Sequence, residues 1–240
     1  AKQTYLFKLK ECLKLPSEGK LYGRATGRSS IGRLDVLTRL MVDKCSLYDE
    51  IDPKEDLYPG RLYVEITPIT FDIVVQEGVS LNQLRLFRGQ PELSELKNDE
   101  IELFGGMILD ENHKPKAKEK VYDLRVDLTP DPQNKISAFT AKDGKDLIVD
   151  LTQGDKYLDP QKFWEPITLK NNFILEMERE RFYILRSKER FKLPLDVAVY
   201  CQAISENLGE LRIHYAGFVH PGFGLHRSEG TPIIFEVRGH

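Results

Sequence analysis

The sequence predicts an all-β protein, a distorted β-barrel built twice with a short helical connector between the copies. Three observations predict it. Runs rich in β-branched and aromatic residues recur along the chain, punctuated by Gly, Pro, Asn or Asp at roughly 8–12-residue spacing. Helix candidates are few. Finally, YLFKLKECLKLP (5–16) aligns with YILRSKERFKLP (183–194): Tyr5, Lys10, Glu11, Lys14, Leu15 and Pro16 face Tyr183, Lys188, Glu189, Lys192, Leu193 and Pro194. Further on, YPGRLYVEI (58–66) is echoed by HPGFG and TPIIFEV within 220–237, which sets Glu65 against Glu236. The chain is therefore read as a first barrel unit over 1–90, a connector over 91–120 and a second, degenerate unit over 121–240. The first unit is expected to lack its opening strands and the second its closing strands.

Taken in order, the segment after the first repeat, GRATGRSSIGRLDVL (23–37), carries four small residues, two adjacent serines and three arginines. Its glycines disfavour a helix, and an ordinary strand needs no such cluster of guanidinium groups. LYVEITPITFDIVV (62–75) and QLRLFRG (83–89) read as strands. PELSELKNDEIELF (91–104) is the best helix candidate, and the polar stretch to Lys120 reads as a connector. YDLRVDL, DLIVDL, NFILEMERERFYIL (172–185), LRIHYAGFV and PIIFEV supply the strands of the second unit.

Composition bounds the function. With 35 basic against 38 acidic residues, the chain has no electrostatic footprint for a nucleic-acid polymer, although a local basic cluster can still hold a small phosphorylated ligand. No apolar run is long enough for a membrane helix, and no signal peptide is evident. Cys12, Cys45 and Cys201 are few, odd in number and far apart, which suits a reducing cytoplasm.

Two features carry chemistry. Arg28, Ser29, Ser30 and Arg33 combine guanidinium forks, hydroxyls and glycine-permitted backbone approach, the groups that bind phosphate oxygens. An exposed basic turn explains the same residues. The second copy, SENLGEL (205–211), keeps a glycine at this place but neither the arginines nor the serine pair, which separates charge from turn geometry. Glu65, sharing a strand face with Tyr63 and Thr67, is either a solvent-facing strand carboxylate or a general base in a pocket. His214, His220 and His226 recur at even spacing, but HPGFG breaks the strand that a zinc site would need. The H-x-E…P-C-x-x-C signature of zinc deaminases is absent.

GRSSIGRL followed by YPGRLYVEI resembles the signature of the dCTP deaminase and dUTPase superfamily. GRATGRSSIGRLDVLTR, DKYLDPQKFWEPI, FYILRSKERFKLP and IHYAGFVHPGFG resemble its duplicated bacterial dCTP deaminase branch. The resemblance implies a dUTPase-like β-clip, trimer-like packing of barrels in a homo-oligomer, and nucleotide sites between neighbouring subunits. It implies hydrolytic deamination of dCTP to dUTP and ammonia in deoxynucleotide biosynthesis, with Mg2+ on the triphosphate and no zinc. Glu65 matches the general acid/base, and Ser29 and Arg33 the groups that place the water and support that glutamate. Arg28 and Ser30 match triphosphate binders, Asp49 the deoxyribose carboxylate, and Glu236 with HPGFG the other wall of a shared site. His220 stands where simpler members place a ribose-binding aspartate. Two alternatives remain open: a dUTP pyrophosphatase, alone or combined with deamination, in which Asp49 activates water, and a nucleotide-binding module without catalysis.

Overall fold

One antiparallel strand pair is built twice, residue for residue. In the computed structural model, β1 (Tyr5–Leu13) pairs antiparallel with β5 (Gly60–Pro68), and β13 (Phe182–Phe191) with β17 (Thr231–Gly239). Tyr5, Leu6, Phe7 and Lys8 stand opposite Ile66, Glu65, Val64 and Tyr63. Tyr183, Ile184, Leu185 and Arg186 stand opposite Val237, Glu236, Phe235 and Ile234. The register shift also recurs, between Lys8 and Cys12 in one strand pair and between Arg186 and Arg190 in the other. The duplication read from the sequence therefore extends to hydrogen-bond register and bulge. The structure describes residues 3–16, 21–51, 60–89, 95–103, 105–116, 122–144, 146–154, 159–201, 211–213 and 217–239.

The chain divides into two units, Ala1–Glu95 with Lys145–Leu158, and Leu96–Gly144 with Asp159–His240. This departs from the sequence boundaries in two places. Residues 145–158, expected in the second unit, join the first, because β11 (Ile148–Asp150) pairs in parallel with β6 (Asp72–Val74) and Val149 is fully buried. The described part of the connector beyond Glu95 joins the second unit. There β8 (Ile108–Leu109) pairs with β13, and the Met107–Leu109 run is buried. A short apolar stretch inside polar surroundings was enough to add a strand.

In the first unit, β5 lies between β1 and β3 (Val36–Val42). A second sheet places β2 (Leu21–Gly27) between β4 (Glu50–Ile51) and β7 (Asn82–Arg88). Alternation decides the faces: Leu62, Val64 and Ile66 of β5 are buried, and Tyr63, Glu65 and Thr67 are half-buried, as the sequence predicts. In the second unit, β13 is flanked on its other edge by β8, β9 (Val126–Asp127) and β10 (Ala138–Ala141). Identical residues thus meet different surroundings, with Tyr5 45% exposed and Tyr183 only 2%.

Several elements are shorter than expected. The helix read over 91–104 is described only as α2 (Asn98–Leu103), where the Lys97 N–H donates to Glu100 Oε2 at 2.7 Å in the manner of an N-terminal cap; residues 91–94 and 104 lie outside the described residues. The strand read over 62–75 is interrupted at Ile69–Phe71, where the Ile69 N–H donates to the Asp35 carbonyl instead of to a neighbouring strand. In 172–185 the strand begins only at Phe182; Asn172, Phe173 and Glu180 take positive φ, which no strand accommodates.

Candidate active site

The Gly-Arg-Ser-Ser segment is the corner between β2 and β3. A Cβ on Gly27 would lie 2.7 Å from Thr38 Oγ1, so only glycine lets β2 approach β3 here. Arg28 is extended, and Ser29–Gly32 form the single helical turn α1, closed by Gly32 N–H donating to the Arg28 carbonyl at 3.0 Å. Ile31 anchors the turn in a cluster with Val36, Val64, Ile66 and Leu81, worth about 1.5–3 kcal/mol for a fully buried aliphatic side chain. With the apolar residue inside, Arg28, Ser29 and Arg33 are left exposed and Ser30 half-buried.

Asp35, absent from the sequence candidates, locks this corner. It sits at φ 57°, is 1% exposed, and accepts the Thr70 hydroxyl on Oδ2 at 2.5 Å. Its position just after the turn, where Asp tolerates the left-handed region, was the available signal.

Arg28 and Ser30 open onto a cavity of about 360 Å³, within the size range of small-molecule sites. Its other walls come from the turn after β6, through Gln76 and Ser80, and from the inserted arm, through Thr152. Gln76 Nε2 donates to the Thr152 carbonyl at 3.3 Å, and Asp150 holds Thr152 through its N–H and hydroxyl at 2.9 and 2.7 Å. Glu77 is the carboxylate among the lining residues and is ion-paired with Lys10. The segment that brings Thr152 was missed because its tie to β6 is a parallel pairing between distant parts of the chain.

Glu65 belongs to a different cluster. Arg39 stands directly across from it on β3, a position that the sequence candidates also omitted. Arg39 Nη1 donates to Asp49 Oδ2 at 2.7 Å, and Asp49 Oδ1 accepts the Leu40 N–H at 2.7 Å. The Tyr48 hydroxyl donates to Glu65 Oε2 at 3.1 Å. The Glu65 carboxylate pushes the Tyr48 hydroxyl above the ordinary tyrosine range, first by that hydrogen bond and then by charge.

The structure therefore groups Arg28 with Ser30 at the cavity, and Glu65 with Asp49 through Arg39 and Tyr48. Ser29 on α1 and Arg33 just after it are exposed, and among the described residues no hydrogen bond or ion pair joins either to Glu65. Asp49 has both carboxylate oxygens engaged, so it serves first as a strut for Arg39. Glu236 is only 5% exposed, within the second unit. His220 lies in the turn after β16 (Phe218–Val219), its Nδ1 2.8 Å from the Pro221 carbonyl. Residues 202–210, His214 and His240 lie outside the described residues. Among the described residues no three His, Cys, Asp or Glu side chains converge.

Comparison with known proteins places this geometry. The N-terminal domain family of 2'-deoxycytidine 5'-triphosphate deaminase matches residues 1–90, and its C-terminal domain family matches residues 97–240. The chain belongs to the dCTP deaminase family. A crystal structure of 2'-deoxycytidine 5'-triphosphate deaminase from Agrobacterium tumefaciens is 31% identical, covering 99% of this chain and 69% of that one with a TM-score of 0.81. No curated protein matches. Membership in the family accounts for the β-rich, dUTPase-like fold.

Proposed function

We propose that this chain hydrolyses dCTP to dUTP and ammonia, in the supply of deoxyuridine and thymidine nucleotides. The observation that carries the reading is the pairing of deaminase family domains over residues 1–90 and 97–240 with a strand glutamate held in a polar cluster. In this reading Glu65 takes one proton from water as it attacks C4 of cytosine and passes it to N3, then takes the second from the new C4 hydroxyl and delivers it to the departing amino group. Ammonia leaves and a C4 carbonyl remains. Ser29 and Arg33 place the water and support the glutamate, and Arg28 and Ser30 hold the triphosphate at the cavity.

Mg2+ would enter with the triphosphate. The donor set fits that route better than a protein cage, since among the described residues no three metal-ligating side chains converge and Glu77 already pairs with Lys10. Bound there, the ion neutralises phosphate charge. Zinc has no part in the reading. Because no described hydrogen bond or ion pair joins Ser29 or Arg33 to Glu65, a site shared between copies in a trimer-like homo-oligomer accommodates them. Glu236 and the His220 turn would then be wall residues. Three unpaired thiols suit a cytoplasmic setting.

The pyrophosphatase alternative asks Asp49 to activate water, yet both its oxygens are engaged by Leu40 and Arg39. Ammonia release from dCTP by the full chain tests the reading; release of pyrophosphate without ammonia contradicts it.

A further inference from the structure

The loop between β3 and β4 is tied to its neighbours at Asp43, whose N–H donates to the Arg61 carbonyl at 3.0 Å, and most heavily at Asp49. Asp49 takes φ 61°, and its N–H donates to the Leu40 carbonyl at 2.9 Å. Its own carbonyl accepts the Ala25 N–H at 2.7 Å. Its two carboxylate oxygens accept the Leu40 N–H and the Arg39 guanidinium, each at 2.7 Å. Four bonds thus tie one turn residue to two strands, and they fix the backbone of the residue before it, Tyr48. The Arg39 guanidinium lies 5.8 Å from the centre of the Tyr48 ring, and the Tyr48 hydroxyl reaches Glu65 Oε2.

A glutamate on a half-exposed strand face samples several rotamers, whereas proton transfer requires the carboxylate to be held within about 0.5 Å of its productive place. One donor on one oxygen removes most of that freedom. We propose that Tyr48 is a positioning residue for Glu65: its hydroxyl holds Oε2 and leaves Oε1 to water and substrate, while the Arg39–Asp49 pair keeps Tyr48 in place. The proposal rests on the reading of Glu65 as the general acid/base. It also gives Asp49 a role that its engaged oxygens can perform. Tyr48 is 47% exposed, so burial does not explain why its neighbour is so firmly fixed.

The test uses the full chain with Tyr48→Phe, which removes the hydroxyl and keeps the ring beside Arg39. The expected result is a fall in kcat for dCTP of about tenfold, the scale of one hydrogen bond to a charged group, with KM and thermal midpoint little changed. A second readout needs no turnover. The tyrosinate absorbance that distinguishes wild type from Tyr48→Phe should appear at lower pH in Glu65→Gln, because the carboxylate that raises it is gone. Full kcat in Tyr48→Phe overturns the proposal, as does a Tyr48 titration indifferent to Glu65→Gln. Absence of deamination by the wild type overturns the functional reading and the catalytic use of Tyr48 with it, whereas the titration reports on the contact alone.

Discussion

Glu65 and Glu236 hold the same register position in two copies of one strand pair, opposite Leu6 and Ile184 respectively, yet their surroundings differ. Glu65 is half-buried beside Tyr48 and Arg39, whereas Glu236 is 5% exposed on a strand flanked by β13 and β15 (Leu211–Ile213). Glu236→Gln should therefore act first on stability, by about 1–3 kcal/mol for a buried polar group, and as a wall residue it should weaken dCTP binding without abolishing turnover. Denaturant unfolding checks this. Unchanged stability with abolished turnover would move the chemistry to β17.

Arg28 is exposed at the mouth of the cavity that Ser30 also lines. Arg28→Ala should weaken dCTP binding roughly tenfold or more, the scale of a lost charged hydrogen bond, and leave deoxycytidine binding nearly unchanged. Calorimetric titration with both ligands separates the outcomes. An equal loss for the nucleoside would contradict a phosphate role.

Glu189 is fully buried in the second unit, accepting from the Arg125 N–H at 2.7 Å and the Arg125 Nε at 2.8 Å, with Lys116 3.6 Å away. Burial alone would push its carboxyl up, but these partners outweigh it and hold the group below the usual carboxylate range. The stability it contributes is complete above about pH 4.5, the value for an unfolded glutamate, and is lost as pH falls through the lower folded value. Glu189→Gln should cost about 1–3 kcal/mol at neutral pH and flatten the acid limb of the stability profile. Its repeat partner Glu11 is exposed, so Glu11→Gln is the silent control. An acid limb identical in all three proteins would refute the assignment.

Chelation separates the metals. A zinc-selective chelator should leave turnover intact, and excess EDTA should slow it until Mg2+ is restored. Loss of activity with the selective chelator, recovered by zinc alone, would require a different chemistry.

Much of the fold was legible because its signals are local. Alternation along Leu62–Ile66 set the faces of β5, and identities between 5–16 and 183–194 announced the repeated strand pair. Burial was not legible from identity: Glu11 and Glu189 match in the repeat, but only β13 is covered on its second edge by β8, β9 and β10. Long-range partners were equally hidden. Arg39 faces Glu65 only through a cross-strand register, and Thr152 reaches the cavity only through a parallel pairing with β6. The local motif supplied Arg28 and Ser30, and tertiary placement supplied Asp35, Arg39 and Tyr48.

The central claim is hydrolytic deamination with Glu65 moving the proton. Its most direct measurement is product analysis of dCTP incubated with Mg2+ and either the wild-type chain or Glu65→Gln, reading ammonia, dUTP and pyrophosphate together. Equal amounts of ammonia and dUTP are expected from the wild type, and none from Glu65→Gln even though that variant still binds dCTP. Pyrophosphate in place of ammonia, or ammonia at the wild-type rate from Glu65→Gln, would contradict it.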